Sequence, residues 1–192
     1  MRMKIKELAT VQMGWSFRSR LETSEYGGVA VIQMKDLLDD NTVGCDNLVT
    51  INMETLKDHH LAQKGDLIFR SRGQLHTAAV LLKDPGKAVI AAPLLRIRVI
   101  HQEKVFPEYL SWYINQSDAQ IFLTSRARGS LQKMISKQDI EDLEITFPSL
   151  KTQADIIELF SLSARELSLI RELANKRKQY ISKVLSELSK GE

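Results

Sequence analysis

The sequence is short of the residues that staple, kink or anchor a chain. It has a single cysteine, Cys45, so no disulfide forms within the chain and a disulfide-bonded scaffold is excluded. It has four prolines and nine glycines, and neither residue occurs between Pro148 and Gly191. A stretch that long without a breaker is free to run as one helix. No run of about 18 uncharged apolar residues occurs, which excludes a membrane-spanning helix. An excess of one charge is also lacking. With 27 basic and 24 acidic residues the net charge is +3, so a polyanion-binding surface has to come from local clustering. The start, Met1-Arg2-Met3-Lys4-Ile5-Lys6-Glu7, has no apolar stretch behind its charges, contrary to a secretory signal. The expectation is a soluble cytoplasmic protein.

Catalytic signatures are missing too. There is no G-x-x-x-x-G-K-[ST] phosphate loop, no G-x-G-x-x-G, and no Asn-Pro-Pro-aromatic tetrapeptide of the kind found in adenine methyltransferases. A magnesium nuclease commonly needs an Asp/Glu-x-Lys pair on a strand, and none exists in the chain. The histidines are His59, His60, His76 and His101, and none has metal-site spacing. His59 and His60 are expected to point away from each other as surface residues. Ser71 and Cys45 have no local base partner, so nucleophilic catalysis has no support. No catalytic residue, metal or cofactor is expected.

The chain divides near Pro148. Before it, short Val-, Ile- and Leu-rich runs read as strands: Val29 to Met34, Asp66 to Arg70, Ala78 to Leu82, Ala88 to Ala91, Leu94 to Ile100 and Leu143 to Phe147. Lys83-Asp84-Pro85-Gly86-Lys87 reads as a turn. Pro107 suits the first turn of a helix carrying Tyr109, Leu110, Trp112, Tyr113 and Ile114, with Trp112 and Tyr113 expected in the core. A second helix spans about Ala119 to Arg126, and a third starts at Ser136 with Asp139 completing a capping box. The expected fold is a mixed α/β (α+β) domain over residues 1–148, followed by a long coiled-coil-forming helix over 149–192.

In that helix, Phe160, Leu167, Ala174, Ile181 and Leu188 fall at heptad position a. Position d holds Ile156, Ser163, Ile170, Arg177 and Val184, so eight of the ten seam residues are apolar. A helix from about Thr152 to Ser189 is roughly 55 Å long. A small domain does not cover so long a stripe, and a second copy of this chain or another protein is the expected partner.

Three segments concentrate basic residues with small or aromatic neighbours. The first is Gly14-Trp15-Ser16-Phe17-Arg18-Ser19-Arg20, whose aromatics can pack or meet bases while Arg18 and Arg20 reach phosphates or guanine edges. The second is Phe69-Arg70-Ser71-Arg72-Gly73-Gln74, at the end of an expected strand. The third, Ser125 to Gln138, holds Arg126, Arg128, Lys133 and Lys137 with no acidic residue, and Gly129-Ser130 offers a phosphate amides and a hydroxyl. Each alone reads more readily as a solvated surface loop; together they suggest a double-stranded DNA surface.

Several segments carry a family resemblance in their order and spacing. They are Leu8 to Gly14 with Phe17-Arg18, Gln33 to Leu37, Lys64 to Gly73, Pro107 to Asn115, Gly129-Ser130 with Ile135-Ser136-Lys137, and Phe147 to Gln153. They cover nearly the whole chain, which resembles the specificity subunit of type I restriction–modification systems. Before its long helix that family more often reads Pro-Pro-Leu-x-Glu-Gln, from which Ser149 and Thr152 depart. The resemblance implies DNA-sequence recognition without chemistry, with long helices acting as a spacer that docks methyltransferase (M) subunits in a complex with restriction (R) subunits. Family members of full length carry two recognition domains and two long helices. A chain with one of each is expected to homodimerise through its helix and read a split, symmetric site. A coiled-coil adaptor that binds only protein is the competing reading, and a recognition domain excised from a fused methyltransferase–nuclease is a third.

Overall fold

The computed structural model describes residues 1–17, 28–38, 40–53, 56–129 and 132–190. They form two compact units, Met1–Ala154 and Asp155–Glu192. In order, the elements are β1 (Arg2–Lys4), β2 (Ala9–Met13), β3 (Val29–Ile32), β4 (Val49–Ile51), β5 (Leu67–Arg70), β6 (Ala78–Val80), β7 (Ala88–Ile90), β8 (Leu94–Val99), α1 (Pro107–Ile114), α2 (Ser117–Arg126), α3 (Lys137–Glu141), β9 (Glu144–Thr146) and α4 (Leu150–Ser189). Short 3-10 turns lie at Ile5–Glu7, Met34–Asp36 and Asp58–His60. The fold is therefore the expected mixed α/β domain followed by a long helix.

Among the described residues the strands make three sheets. An antiparallel sheet runs β2-β8-β5-β6, a mixed sheet runs β4-β3-β7 with β3 and β7 parallel, and β1 pairs with β9. The six expected strands all form, each slightly shorter than its apolar run. Sequence reading misses β1, β2 and β4, which are short and partly exposed and so lack a continuous apolar run. Their pairing comes from distant partners: β2 lies along β8, with Ala9 opposite Val99 and Met13 opposite Leu95.

The two larger sheets share a core in which Ile68, Ala79 and Leu94 pack with Ile32, Ala88 and Ile90. α1 begins with Pro107 in its first turn and buries Tyr109, Leu110 and Ile114, while Trp112 and Tyr113 are only half-buried. The Ser111 hydroxyl and the Asn115 amide donate to the Ala78 carbonyl, which ties α1 to the edge strand β6. α3 has the expected capping box: Ser136 Oγ accepts from Asp139 N at 3.2 Å, and Asp139 accepts from Ser136 N at 2.9 Å. In the turn between β6 and β7, Gly86 takes φ 66°, a conformation that costs glycine nothing.

Helix α4 starts on a polar anchor. Ser149 Oγ accepts from Thr152 N, so the departure from the family's usual residues still supplies a cap. Gln153 is fully buried. Its carbonyl oxygen accepts from Phe106 N, and its amide donates to the carbonyls of Lys104 and Pro148. Gln153→Ala leaves those three backbone groups without this partner. We expect a loss of about 2–5 kcal/mol, read as a lower denaturant midpoint with an unchanged slope.

Beyond this turn the helix exposes its apolar residues. Of the seam, Phe160, Leu167, Ile170, Ala174, Ile181 and Leu188 are exposed, and Ile156 and Val184 are half-exposed. A second exposed apolar stripe, Leu159, Leu162, Leu169, Leu173 and Tyr180, lies beside the first. No helix among the described residues is long and apolar enough to cross a membrane.

Candidate nucleic-acid interface

Strand register decides where the basic segments lie. β2 and β5 both end, and β8 begins, at one end of the four-stranded sheet: Met13 is opposite Leu95, and Arg70 is opposite Leu94. Gly14-Trp15-Ser16-Phe17 leaves β2 at that end, and Ser71 to Gln74 leaves β5 there. Both are bonded to the turn that enters β8. Trp15 N donates to Ile90 O at 2.6 Å, Ala92 N donates to Trp15 O at 2.9 Å, and the Ser71 hydroxyl donates to the Pro93 carbonyl. A Cβ on Gly14 would come within 2.7 Å of Ile90 O and the Ala91 carbonyl carbon, so close backbone packing requires glycine here.

The third segment joins the second through the backbone. Ile135 N donates to Ser71 O at 2.8 Å and Gly73 N to Lys133 O at 3.1 Å, while Arg128 and Met134 exchange two bonds of 3.0 and 2.8 Å. Met134 thus bridges to Arg72 on one side and to Arg128 on the other. Residues paired in this way present their side chains on the same side, so Arg72 and Arg128 flank Met134 on one surface.

The basic residues are not equivalent. Arg72, Arg128 and Lys133 are exposed, and no carboxylate among the described residues lies within ion-pair distance of them. Arg126 lies 4.0 Å from Asp139 and stacks 4.5 Å over Phe122, and Lys137 pairs with Glu141 at 3.4 Å. Arg70 donates to Thr77 Oγ1 and to the Leu37 carbonyl, both at 2.6 Å, so its guanidinium holds the fold together. Ser71 is buried, Trp15 is half-buried, and Ser16 and Gln74 are exposed. Arg18, Arg20 and Ser130 lie outside the described residues.

A polar cluster under Trp15 escapes sequence reading. Arg96 and Arg98 project from the same face of β8. Arg98 makes a two-bond pair with the buried Asp66 at 2.6 and 2.7 Å, which raises its affinity for the proton. Arg96 is 7% exposed and has no carboxylate partner among the described residues. It donates to the carbonyls of His59 and Leu61 and to Gln12 Oε1. Burial, followed by the nearby Arg98 charge, lowers its hold on a proton. The His59 and His60 rings do not diverge. In the tight 3-10 turn their centroids are 4.0 Å apart, and Trp15 meets His60 edge-on at 4.8 Å. The one sequence signal was two arginines interrupting the apolar run Leu94 to Val99. Among the described residues no group of three or more His, Cys, Asp or Glu is placed to hold a metal.

Sheets and terminal helix together define the class by fold: a mixed α/β domain followed by a long helix. The chain belongs to the type I restriction modification DNA specificity domain family, whose model matches residues 1–179. No curated protein matches the sequence. Among solved structures, a chain from work on complex assembly and conformational transition of the type I R-M system is similar, with a TM-score of 0.71 at 16% identity. That match covers 96% of this chain and 43% of the other. The HsdS subunit from Thermoanaerobacter tengcongensis gives a TM-score of 0.65 at 17% identity, over 90% of this chain and 39% of its own. The type I restriction-modification system S subunit from M. genitalium gives 0.60 at 13% identity, over 93% and 42%. The chain thus spans less than half the length of each, and at these identities the likeness is one of fold.

Proposed function

We propose that this chain is a non-catalytic specificity subunit that reads a half-site on double-stranded DNA and directs methyltransferase and restriction subunits to it. The observation that carries the reading is the meeting of Arg72 and Arg128 on either side of Met134 at the end of the four-stranded sheet, with Lys133 next to Met134 in the chain and, among the described residues, no carboxylate at ion-pair distance from any of the three. Cations left unneutralised on one surface match a phosphate backbone, and arginine beside a short loop suits the edges of guanine. Arg126 and Lys137 serve at the margin of this surface, and Arg70 and Ser71 position it. The recognition domain is residues 1–148, and residues 149–192 are the assembly element.

The apolar seam of α4 pairs with that of a second copy. Residues 150–174 hold three basic and four acidic side chains, and residues 175–192 hold five basic and two acidic. Antiparallel pairing places the basic half of one helix against the acidic half of its mate, whereas parallel pairing opposes like charges. The neighbouring stripe of Leu159, Leu162, Leu169, Leu173 and Tyr180 is left for a methyltransferase subunit.

Selection from a randomised duplex pool, with the chain alone and with a methyltransferase subunit, tests this function. The expected product is a two-part site with symmetric halves, bound less tightly as salt rises. Absence of salt-dependent DNA binding under both conditions points instead to the protein-only adaptor.

A further inference from the structure

We propose that His60 is a base-reading residue, its Nε2–H held as a neutral hydrogen-bond donor by a Gln12–Arg96 relay and aimed at an acceptor on a base edge. The inference rests on the DNA-recognition reading above and adds a residue outside the three basic segments.

The relay follows from donor and acceptor inventory. Arginine only donates, so the atom of Gln12 facing Arg96 Nη2 at 2.5 Å is the carbonyl oxygen. The other end of the same amide is then the NH2 group, and it faces His60 Nδ1 at 3.3 Å. Nδ1 therefore accepts, and a neutral imidazole in that position carries its proton on Nε2. Arg96 also grips the turn that carries the ring, through the carbonyls of His59 at 2.9 Å and Leu61 at 3.0 Å. Trp15, at 89° to the ring, fixes its plane. Burial, and then the charges of His59, Arg96 and Lys57, push the imidazole below its ordinary proton affinity, which keeps it neutral near pH 7.

Placement supports the role. Trp15 leaves β2 at the same sheet end as Arg72, and His60 lies against it, half-exposed. Among the described residues the side-chain hydrogen bond of His60 is made through Nδ1, and none is made through Nε2. A neutral donor gains little from a phosphate relative to the cations beside it. Purine N7, guanine O6 and thymine O4 in the major groove are acceptors of the right kind.

Two measurements on the full chain test this. Long-range 1H–15N correlation spectra at pH 7 are expected to show the Nε2–H tautomer for His60. In Gln12→Glu, an acceptor-only carboxylate replaces the amide with little change of shape, and His60 should gain a proton on Nδ1. In pool selection, His60→Ala should lose preference at one base pair per half-site and keep the rest. Its affinity for the duplex selected by wild type should fall roughly 5- to 150-fold with an unchanged salt slope. Gln12→Glu should disturb the same base pair. An Nδ1–H tautomer in wild type, an unchanged consensus for His60→Ala, or a salt slope lower by about one, which marks a phosphate contact, overturns the role of His60 alone. A wild-type chain that enriches no duplex overturns the recognition reading and, with it, the base-reading role.

Discussion

On the proposed pairing of α4 with a second copy, aspartate at both Ile170 and Ile181 should leave single chains and reduce affinity for a two-part duplex by on the order of 100-fold or more. Both positions lie on the exposed seam of α4, at 55% and 47% exposure in the single chain. In a symmetric pair each substitution acts twice. Four isoleucines leave the interface, each worth roughly 1.5–3 kcal/mol of apolar burial, and four carboxylates would need desolvation to replace them. That exceeds what a helix pair of this length can absorb. Loss of the second copy also removes the second half-site, and with it the gain from simultaneous engagement. Sedimentation should show a single-chain species, and circular dichroism should show the first unit still folded. Aspartate at Ser168, on the polar face, is the control and should leave the pair intact. A double variant that sediments as the wild type does would mean that the α4 seam is not the association element.

The second large effect is expected from Arg72. Arg72→Ala should cost about 1–3 kcal/mol on the selected duplex and far less on random duplex, because a base contact is lost only where the right base is present. Lys133→Ala should weaken both by a similar factor and lower the salt slope by about one, since a phosphate contact is indifferent to sequence. Fluorescence anisotropy at several salt concentrations separates the two. An equal loss on both duplexes for Arg72→Ala would remove its readout role. The contrast is instructive because the two residues lie side by side: Gly73, next to Arg72, donates to the carbonyl of Lys133.

How far sequence reading reached depended on the range of the interaction involved. The capping box at Ser136 and Asp139 spans three residues, Pro107 marks the first turn of α1, and both follow from neighbours alone. β2 is different. Its five residues, Ala9–Met13, have no continuous apolar run, and they become a strand because β8 lies beside them. Arg70 shows the same limit at a site. Beside Arg72 it looks like an equivalent reader, but its guanidinium bonds the carbonyl of Leu37, 33 residues away. A strand or a helix directs the side chains of neighbouring residues apart, yet the rings of His59 and His60 come within 4.0 Å of each other at a tilt of 46°, a contact that spacing alone does not predict.

By itself the sequence determined the breaker-free helix with its heptad seam, the proline that starts α1, the capping box that starts α3, the short strand-forming runs and the lack of recognised catalytic motifs. These are properties of spacing and residue type, carried by contacts between near neighbours. Only the tertiary structure decided which cations meet, since Arg72 and Met134 are bridged across 62 residues and Gln12 and Arg96 across 84. Those pairings depend on the register of β2, β5 and β8, and register follows from packing the whole core rather than from any local pattern.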